Sequence, residues 1–142
     1  MQDLRSKPTL ANLDFPLRLA SEFRASYAPG VVWEAPRRHV RWVGRDQVVE
    51  KLLREAAAMQ ALQFTRLRQS ALEGQLIDEF VARFTYSGAG IDNLDLPAGA
   101  QVELQRLRIL TFRDEVVTLE TAIETWTCLD RPACQGSSTP AG

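Results

Sequence analysis

Apolar positions along the 142-residue chain recur near every 3.6 residues in its first part and every second residue in the remainder. Between residues 10 and 28, Leu13, Leu17, Ala20, Phe23 and Tyr27 fall at helical spacing, with Arg18, Glu22 and Arg24 on the other side; Pro16 is a point where this stretch can divide in two. "GVVWEAP" then reads as a short strand and "RHVRWVG" as a second short strand or an extended link. Residues 44–60, "GRDQVVEKLLREAAAMQ", give the clearest helix: Val48, Leu52, Leu53, Ala56 and Met59 form its stripe, and Arg45, Glu50, Lys51 and Glu55 are expected in water. On this reading the helix backs the domain and carries no chemistry.

Alternation takes over after the helix. "LQFTRLRQSAL", "QLIDEFVARFTYSG", "QVELQRLRILTF" and "VVTLETAIETWTC" are separated by Glu73-Gly74, by a loop rich in Gly, Asp and Pro, and by residues 113–115. Four long antiparallel strands in a meander are predicted. Helices first, then a short strand pair, one amphipathic helix and a large sheet describe an α+β domain whose helices cover one face of a curved sheet.

Composition narrows the class. With 142 residues and 45% hydrophobic content, one domain can remove roughly 68–70% of its unfolded surface from water without a staple. Seventeen basic and eighteen acidic residues are mixed along the chain, so no field for a phosphate backbone arises and nucleic acid is not an expected partner. "MQDLRSKPTL" lacks the apolar run of a signal peptide, and no stretch reaches the roughly 18 apolar residues of a membrane helix; a soluble cytoplasmic protein is expected. Cys128 and Cys134 match no zinc spacing and are read as free thiols. The domain is placed at residues 1–129, and residues 130–142, "DRPACQGSSTPAG", have the composition of a disordered tail. His39 is the single histidine, so no multi-histidine metal centre is available and no metal or cofactor is expected.

Tyr27-Ala28, Trp33-Glu34-Ala35-Pro36 and Gly44-Arg45 occur in an order that resembles the nuclear transport factor 2-like superfamily, within it the SnoaL-like polyketide cyclase and ketosteroid isomerase branch. The resemblance runs from about residue 10 to residue 128. It implies a cone of N-terminal helices on the concave face of a strongly curved, mostly antiparallel sheet, enclosing one apolar pocket, often in a homodimer. In ketosteroid isomerase the acid directly before the proline is the general base, and that position is Ala35 here; the position of the neutral, hydrogen-bond-donating acid falls on Arg108. Steroid-type isomerisation is therefore not expected. The Arg-x-Asp pattern of limonene epoxide hydrolase, another member of the superfamily, corresponds to Arg106-Leu107-Arg108, an incomplete match.

Strand parity assigns the pocket face. Glu34 points away from it, leaving Trp33 and Ala35 inward, unless a bulge rotates the acid. Inward positions are Asp78, Phe80, Ala82, Phe84 and Tyr86, then Val102, Leu104, Arg106, Arg108, Leu110 and Phe112, then Glu120, Ala122, Glu124 and Trp126. Outward positions include Val81, Leu107, Ile109, Val117, Leu119 and Ile123, too apolar for water and suited to a homodimer through the outer sheet face.

Two readings of the charges stand side by side. In one, Arg106 and Arg108 lie opposite Glu120 and Glu124 in a structural ion network, or a bulge near Gln105 swings them outward. In the other, Arg106 or Arg108 holds a ligand's carboxylate or enolate while Asp78, Glu120 or Glu124 moves protons. Candidate catalytic residues are thus Asp78, Glu120, Glu124 and Arg108. Candidate ligand contacts are Trp33, His39, Trp42, Phe80, Phe84, Tyr86, Arg106 and Trp126. The leading expectation is a pocket protein for a small apolar or anionic organic ligand. An isomerase, dehydratase, cyclase or epoxide hydrolase acting on an apolar carbonyl or hydroxyl compound, and a protein-interaction scaffold, are its rivals.

Overall fold

The computed structural model describes residues 24–130. Strand β1 (Tyr27–Ala35) leads through a 3-10 turn (Pro36–Arg38) to β2 (Val40–Val43), helix α1 (Arg45–Ala57) and four long strands: β3 (Met59–Leu72), β4 (Gln75–Tyr86), β5 (Gln101–Arg113) and β6 (Val116–Cys128). The six strands among the described residues form one sheet in the order β2-β1-β6-β5-β4-β3, in which β1–β6 is parallel and the other pairs are antiparallel. The meander of four long strands is as the alternation predicts. Among the described residues, no helix is long and apolar enough to cross a membrane.

The expected helix over residues 10–28 lies largely outside the described residues; residues 24–26 are helical, and Tyr27 already opens β1. Helix α1 ends at Ala57, and Met59 starts β3 instead of closing the helix. Its buried residues are Val48, Val49, Leu52 and Glu55. Glu55, expected in water, is 0% exposed.

Pleating decides which side chains meet. Trp33, Ala35, Phe80, Ala82, Phe84, Tyr86, Val102, Leu104, Leu110 and Ala122 are buried on the helix side, and the same parity buries Asp78, Arg106, Arg108, Glu120 and Glu124. Register along β4–β5 runs unbroken from Gln75↔Thr111 to Thr85↔Gln101, so no bulge near Gln105 turns the arginines out. Val81, Leu107, Ile109, Leu119 and Ile123 are partly exposed on the reverse face. Val117 departs from this pattern and is fully buried, because β5–β6 shifts register between Thr111 and Phe112 and reverses the parity beyond it. Glu34 lies on the reverse face at the register of Thr121, whose hydroxyl donates to its carboxylate at 3.3 Å.

The loop between β4 and β5 is fastened to the turn before β2. Asn93 Nδ2 donates to the Arg38 carbonyl at 2.9 Å, and Asp92 Oδ2 takes Lys51 at 2.9 Å and the Trp42 indole at 3.3 Å. Cys128 is disulfide-bonded and not the free thiol expected from spacing; Cys134 lies outside the described residues.

Candidate functional site

Three strands, one helix and the 3-10 turn converge on the concave face with charge instead of grease. Among the described residues, three arginines and four carboxylates are buried there: Arg38, Arg106 and Arg108 against Glu55, Asp78, Glu120 and Glu124. Burying any one of these alone would cost several kcal/mol, so the positions of their partners decide what each can do.

Arg38, Glu55, Arg106 and Glu124 make a closed ring. Pro36 sets the 3-10 turn, and the left-handed backbone of His39 (φ 60°) ends it, so that Arg38 turns inward while His39 stays exposed. Arg38 Nε donates to Glu124 Oε1 at 2.8 Å, and its Nη2 donates to Glu55 Oε2 at 3.0 Å. Arg106 Nη2 reaches Glu55 Oε1 at 3.2 Å and Glu124 Oε2 at 2.6 Å. Trp126 Nε1 donates to Glu124 Oε1 at 3.0 Å. Burial alone would raise the Glu124 pKa, but the adjacent Arg106 and Arg38 outweigh it and hold the carboxyl down at about 2. Arg106 is subject to the converse: burial weakens its charge, and Glu124 and Glu55 more than restore it, leaving its pKa above the ordinary guanidinium value. The ring is neutral and each member has two charged partners, so it is a strut between α1 and the sheet.

A second group lies beside it on β4, β5, β6 and the start of β1. Asp78 accepts from Arg108 at 2.8 Å and from Arg66, on β3, at 3.0 Å. Glu120 is bound differently: Oε1 accepts from the Tyr27 hydroxyl at 2.7 Å, while Oε2 is 3.7 Å from Arg108 Nη1, beyond a hydrogen bond. Glu120 is the one buried carboxylate among the described residues with no cation in hydrogen-bond contact. Burial, and next the charge of Glu120, push the Tyr27 hydroxyl well above its ordinary pKa, so it stays a donor.

Aromatic rings pack around these charges. Trp33 stacks on Trp42 at 4.3 Å with planes 16° apart, and the Arg106 guanidinium lies 5.6 Å from the Trp33 ring. The Trp33 indole nitrogen is buried without an acceptor. Phe84 meets Trp126 edge-on at 6.3 Å, Arg38 lies 5.2 Å from the Trp126 ring, and Arg108 lies 5.7 Å from Phe80.

Of the candidate residues, Asp78, Glu120, Glu124, Arg106, Arg108, Trp33, Phe80, Phe84, Tyr86 and Trp126 therefore share the concave side. His39 does not join them. It lines a separate surface hollow of about 300 Å³ with Trp42, Lys51, Asp92 and Asn93. The expected cross-strand pairing is also corrected: Arg106 faces Glu124, but Arg108 faces Ala122 and Glu120 faces Leu110. Besides Arg66, which is partly exposed, three buried participants were missed. Glu55 has a signal, since residues 48, 52 and 55 make one helical stripe, whereas Arg38 lies in a turn without periodicity and Tyr27 falls at helical spacing in the sequence but opens β1. Among the described residues, no group of three or more His, Cys, Asp or Glu is placed to hold a metal ion.

Such a buried, mixed-charge patch on the concave side of a six-stranded sheet defines an α+β cone built around its interior. The chain has the nuclear transport factor 2-like fold. Among solved structures it resembles a candidate SnoaL-like polyketide cyclase from Jannaschia sp. CCS1, at 12% identity over 86% of this chain and 80% of that one with a TM-score of 0.63. It also resembles a nuclear transport factor 2-like protein of unknown function from Cytophaga hutchinsonii (16% identity, 82% and 89% covered, TM-score 0.58). A third is an LEH-like epoxide hydrolase from M. tuberculosis (14% identity, 83% and 75% covered, TM-score 0.56). No protein-family model matches the sequence, and no curated protein does.

Proposed function

We propose that this chain is a small-molecule-binding protein of the SnoaL-like kind, whose ligand sits on the concave face beside Glu120. The observation that carries the proposal is the incomplete pairing of this one carboxylate, at 3.7 Å from its nearest cation, inside a cluster whose other acids are all bonded to guanidinium groups. A buried charge with one hydrogen bond, from Tyr27, and no cation in hydrogen-bond contact costs stability unless something else meets it. Glu124, held ionised by two arginines, is a poor proton carrier, and Asp78 is engaged by Arg66 and Arg108.

A second reading, acid–base catalysis, draws on the Tyr27–Glu120 hydrogen bond of 2.7 Å. A carboxylate coupled to a tyrosine can take a proton from a carbon or a water while the hydroxyl steadies the charge. The neighbours include a candidate polyketide cyclase and an epoxide hydrolase, which makes cyclisation and epoxide opening the reactions to assay. The partly exposed apolar residues of the outer sheet face support a homodimer as the working form.

Thermal-shift screening of neutral apolar carbonyl, hydroxyl and epoxide compounds against the wild type and Glu120→Gln tests the binding reading. Hits that stabilise the wild type and lose at least tenfold in affinity in the variant support it; hits indifferent to the substitution remove Glu120 from the site. Turnover of any hit, abolished in Glu120→Gln, decides for the enzyme.

A further inference from the structure

Resting on the reading that a ligand meets Glu120, the structure narrows the chemistry of that ligand. Trp33 and Glu120 are register partners in the parallel β1–β6 pair, and both side chains are buried on the concave face, at 0% and 1% exposure. Neighbouring strands stand about 4.7–4.9 Å apart. One partner brings a buried N–H with no acceptor, and the other brings a carboxylate oxygen whose closest cation is at 3.7 Å. Paired positions of neighbouring strands thus carry a buried donor with no acceptor and a carboxylate that has one hydrogen bond, from Tyr27, and its arginine beyond hydrogen-bond distance.

The surroundings supply little else. Arg38 and Arg106 are committed to Glu55 and Glu124, and Arg108 to Asp78, so among the described residues each buried guanidinium on this face has a carboxylate. An anionic ligand would meet four buried carboxylates and have to break an existing ion pair to find a cation. A carbonyl or ether oxygen can accept from Trp33 but offers Glu120 nothing. A hydroxyl does both, accepting through its lone pairs and donating its proton.

We infer that Trp33 and Glu120 together form a subsite for a neutral hydroxyl group, an alcohol, phenol or enol carried on an apolar body, and that the site rejects carboxylates. This replaces the anionic ligand expected from Arg106 and Arg108 with a neutral hydrogen-bond donor. A water molecule carries the same chemistry, and the test separates the two sources.

The probes are 2-naphthol, 2-methoxynaphthalene and 2-naphthoate, titrated at pH 7 into uniformly 15N-labelled protein. The three tryptophans give three indole N–H signals, and Trp33→Phe assigns the one that matters. The expected result is that 2-naphthol binds at least tenfold more tightly than either of the other probes and moves the Trp33 signal. In Glu120→Gln the preference for naphthol over naphthoate should fall about tenfold, because the repelling charge is gone. Equal binding of all three probes, or tighter binding of naphthoate, overturns the inference and leaves the ligand site itself standing. Naphthol binding that leaves the Trp33 signal in place assigns the subsite to water and also overturns it. If no probe binds, the ligand site falls and this inference falls with it. Should Trp33→Phe not fold, assignment through a nuclear Overhauser connectivity to Trp42, stacked at 4.3 Å, keeps the readout.

Discussion

The Glu55 carboxylate on helix α1 meets the Arg106 guanidinium of strand β5 at 3.2 Å, with side chains 1% and 2% exposed. The same carboxylate holds Arg38 through its other oxygen at 3.0 Å. Removing Glu55 would leave two buried guanidinium groups sharing Glu124 alone. Because an uncompensated buried charge costs about 3–5 kcal/mol, Glu55→Ala should lower unfolding stability by that amount in urea titration. Glu50, exposed on the same helix and paired only with Arg54 at 3.1 Å, is the control. Glu50→Ala should change stability by no more than about 0.5 kcal/mol. Equal losses in the two variants would show that the ring carries no special weight.

Glu55 also marks where the sequence was opaque. Its spacing from Val48 and Leu52 puts it in the apolar stripe, but residue type argues for water, and only a partner arginine from elsewhere reverses that argument. Arg106, Asp78, Glu120 and Glu124 were legible because strand alternation is insensitive to side-chain type and the β4–β5 register has no break. Val117 was not, because the register shift at Phe112 leaves no trace in the pattern of apolar residues. Arg38 was hidden by a three-residue turn, too short to have a period. The overall fold is legible despite these local exceptions because it rests on the order and length of elements, each of which averages over many residues.

The ring predicts how stability depends on pH. Glu124 has a folded-state pKa of about 2 against an ordinary 4.5, its burial being outweighed by Arg106 and Arg38. A depressed carboxylate contributes stability that is fully present above its unfolded value and is lost as the medium is acidified through the folded one. Unfolding free energy should therefore fall progressively from near pH 4.5 down to pH 2, by about 3 kcal/mol from this group at about 1.4 kcal/mol per unit. Glu124→Gln should flatten that acid limb, as read from denaturant midpoints at successive pH values. Tyr27 acts at the other end. Its raised pKa, set first by burial and then by Glu120, contributes stability that is present below pH 10 and lost as pH rises toward the folded value, and Tyr27→Phe should remove that alkaline limb.

The outer face predicts an assembly. Leu107 and Ile123 are register partners on that face, and Ile109, Val81 and Leu119 lie around them, all partly exposed. A second copy of the chain would cover this patch through a two-fold contact. Light scattering after size exclusion should give twice the chain mass of 15.9 kDa. Ile109→Arg places a charge in the middle of the contact and should yield the single-chain mass, with far-UV circular dichroism unchanged. A wild-type protein that runs as one chain at micromolar concentration would remove the dimer and make the exposed face a surface for some other protein.

The β5–β6 hairpin gives a prediction independent of the site. Arg113 pairs with Val116, and the two residues between them, Asp114 and Glu115, have φ of 54° and 67°. Two successive left-handed residues make the tight turn that suits the twist of a hairpin, and that turn favours Asn or Asp followed by Gly. Asp114 fits the first position, whereas Glu115 has a Cβ that crowds the backbone in this conformation at about 1 kcal/mol. The β3–β4 turn, also of two residues, has Gly at its second position, Gly74 at φ 75°, although its first residue, Glu73, is not left-handed. Glu115→Gly should therefore stabilise the protein by about 1 kcal/mol, or leave it unchanged if greater freedom in the unfolded chain offsets the relief. Glu115→Val, β-branched at the same φ, should destabilise it by at least as much. A loss of stability in the glycine variant together with tolerance of valine would mean that the turn does not hold these dihedral angles in solution.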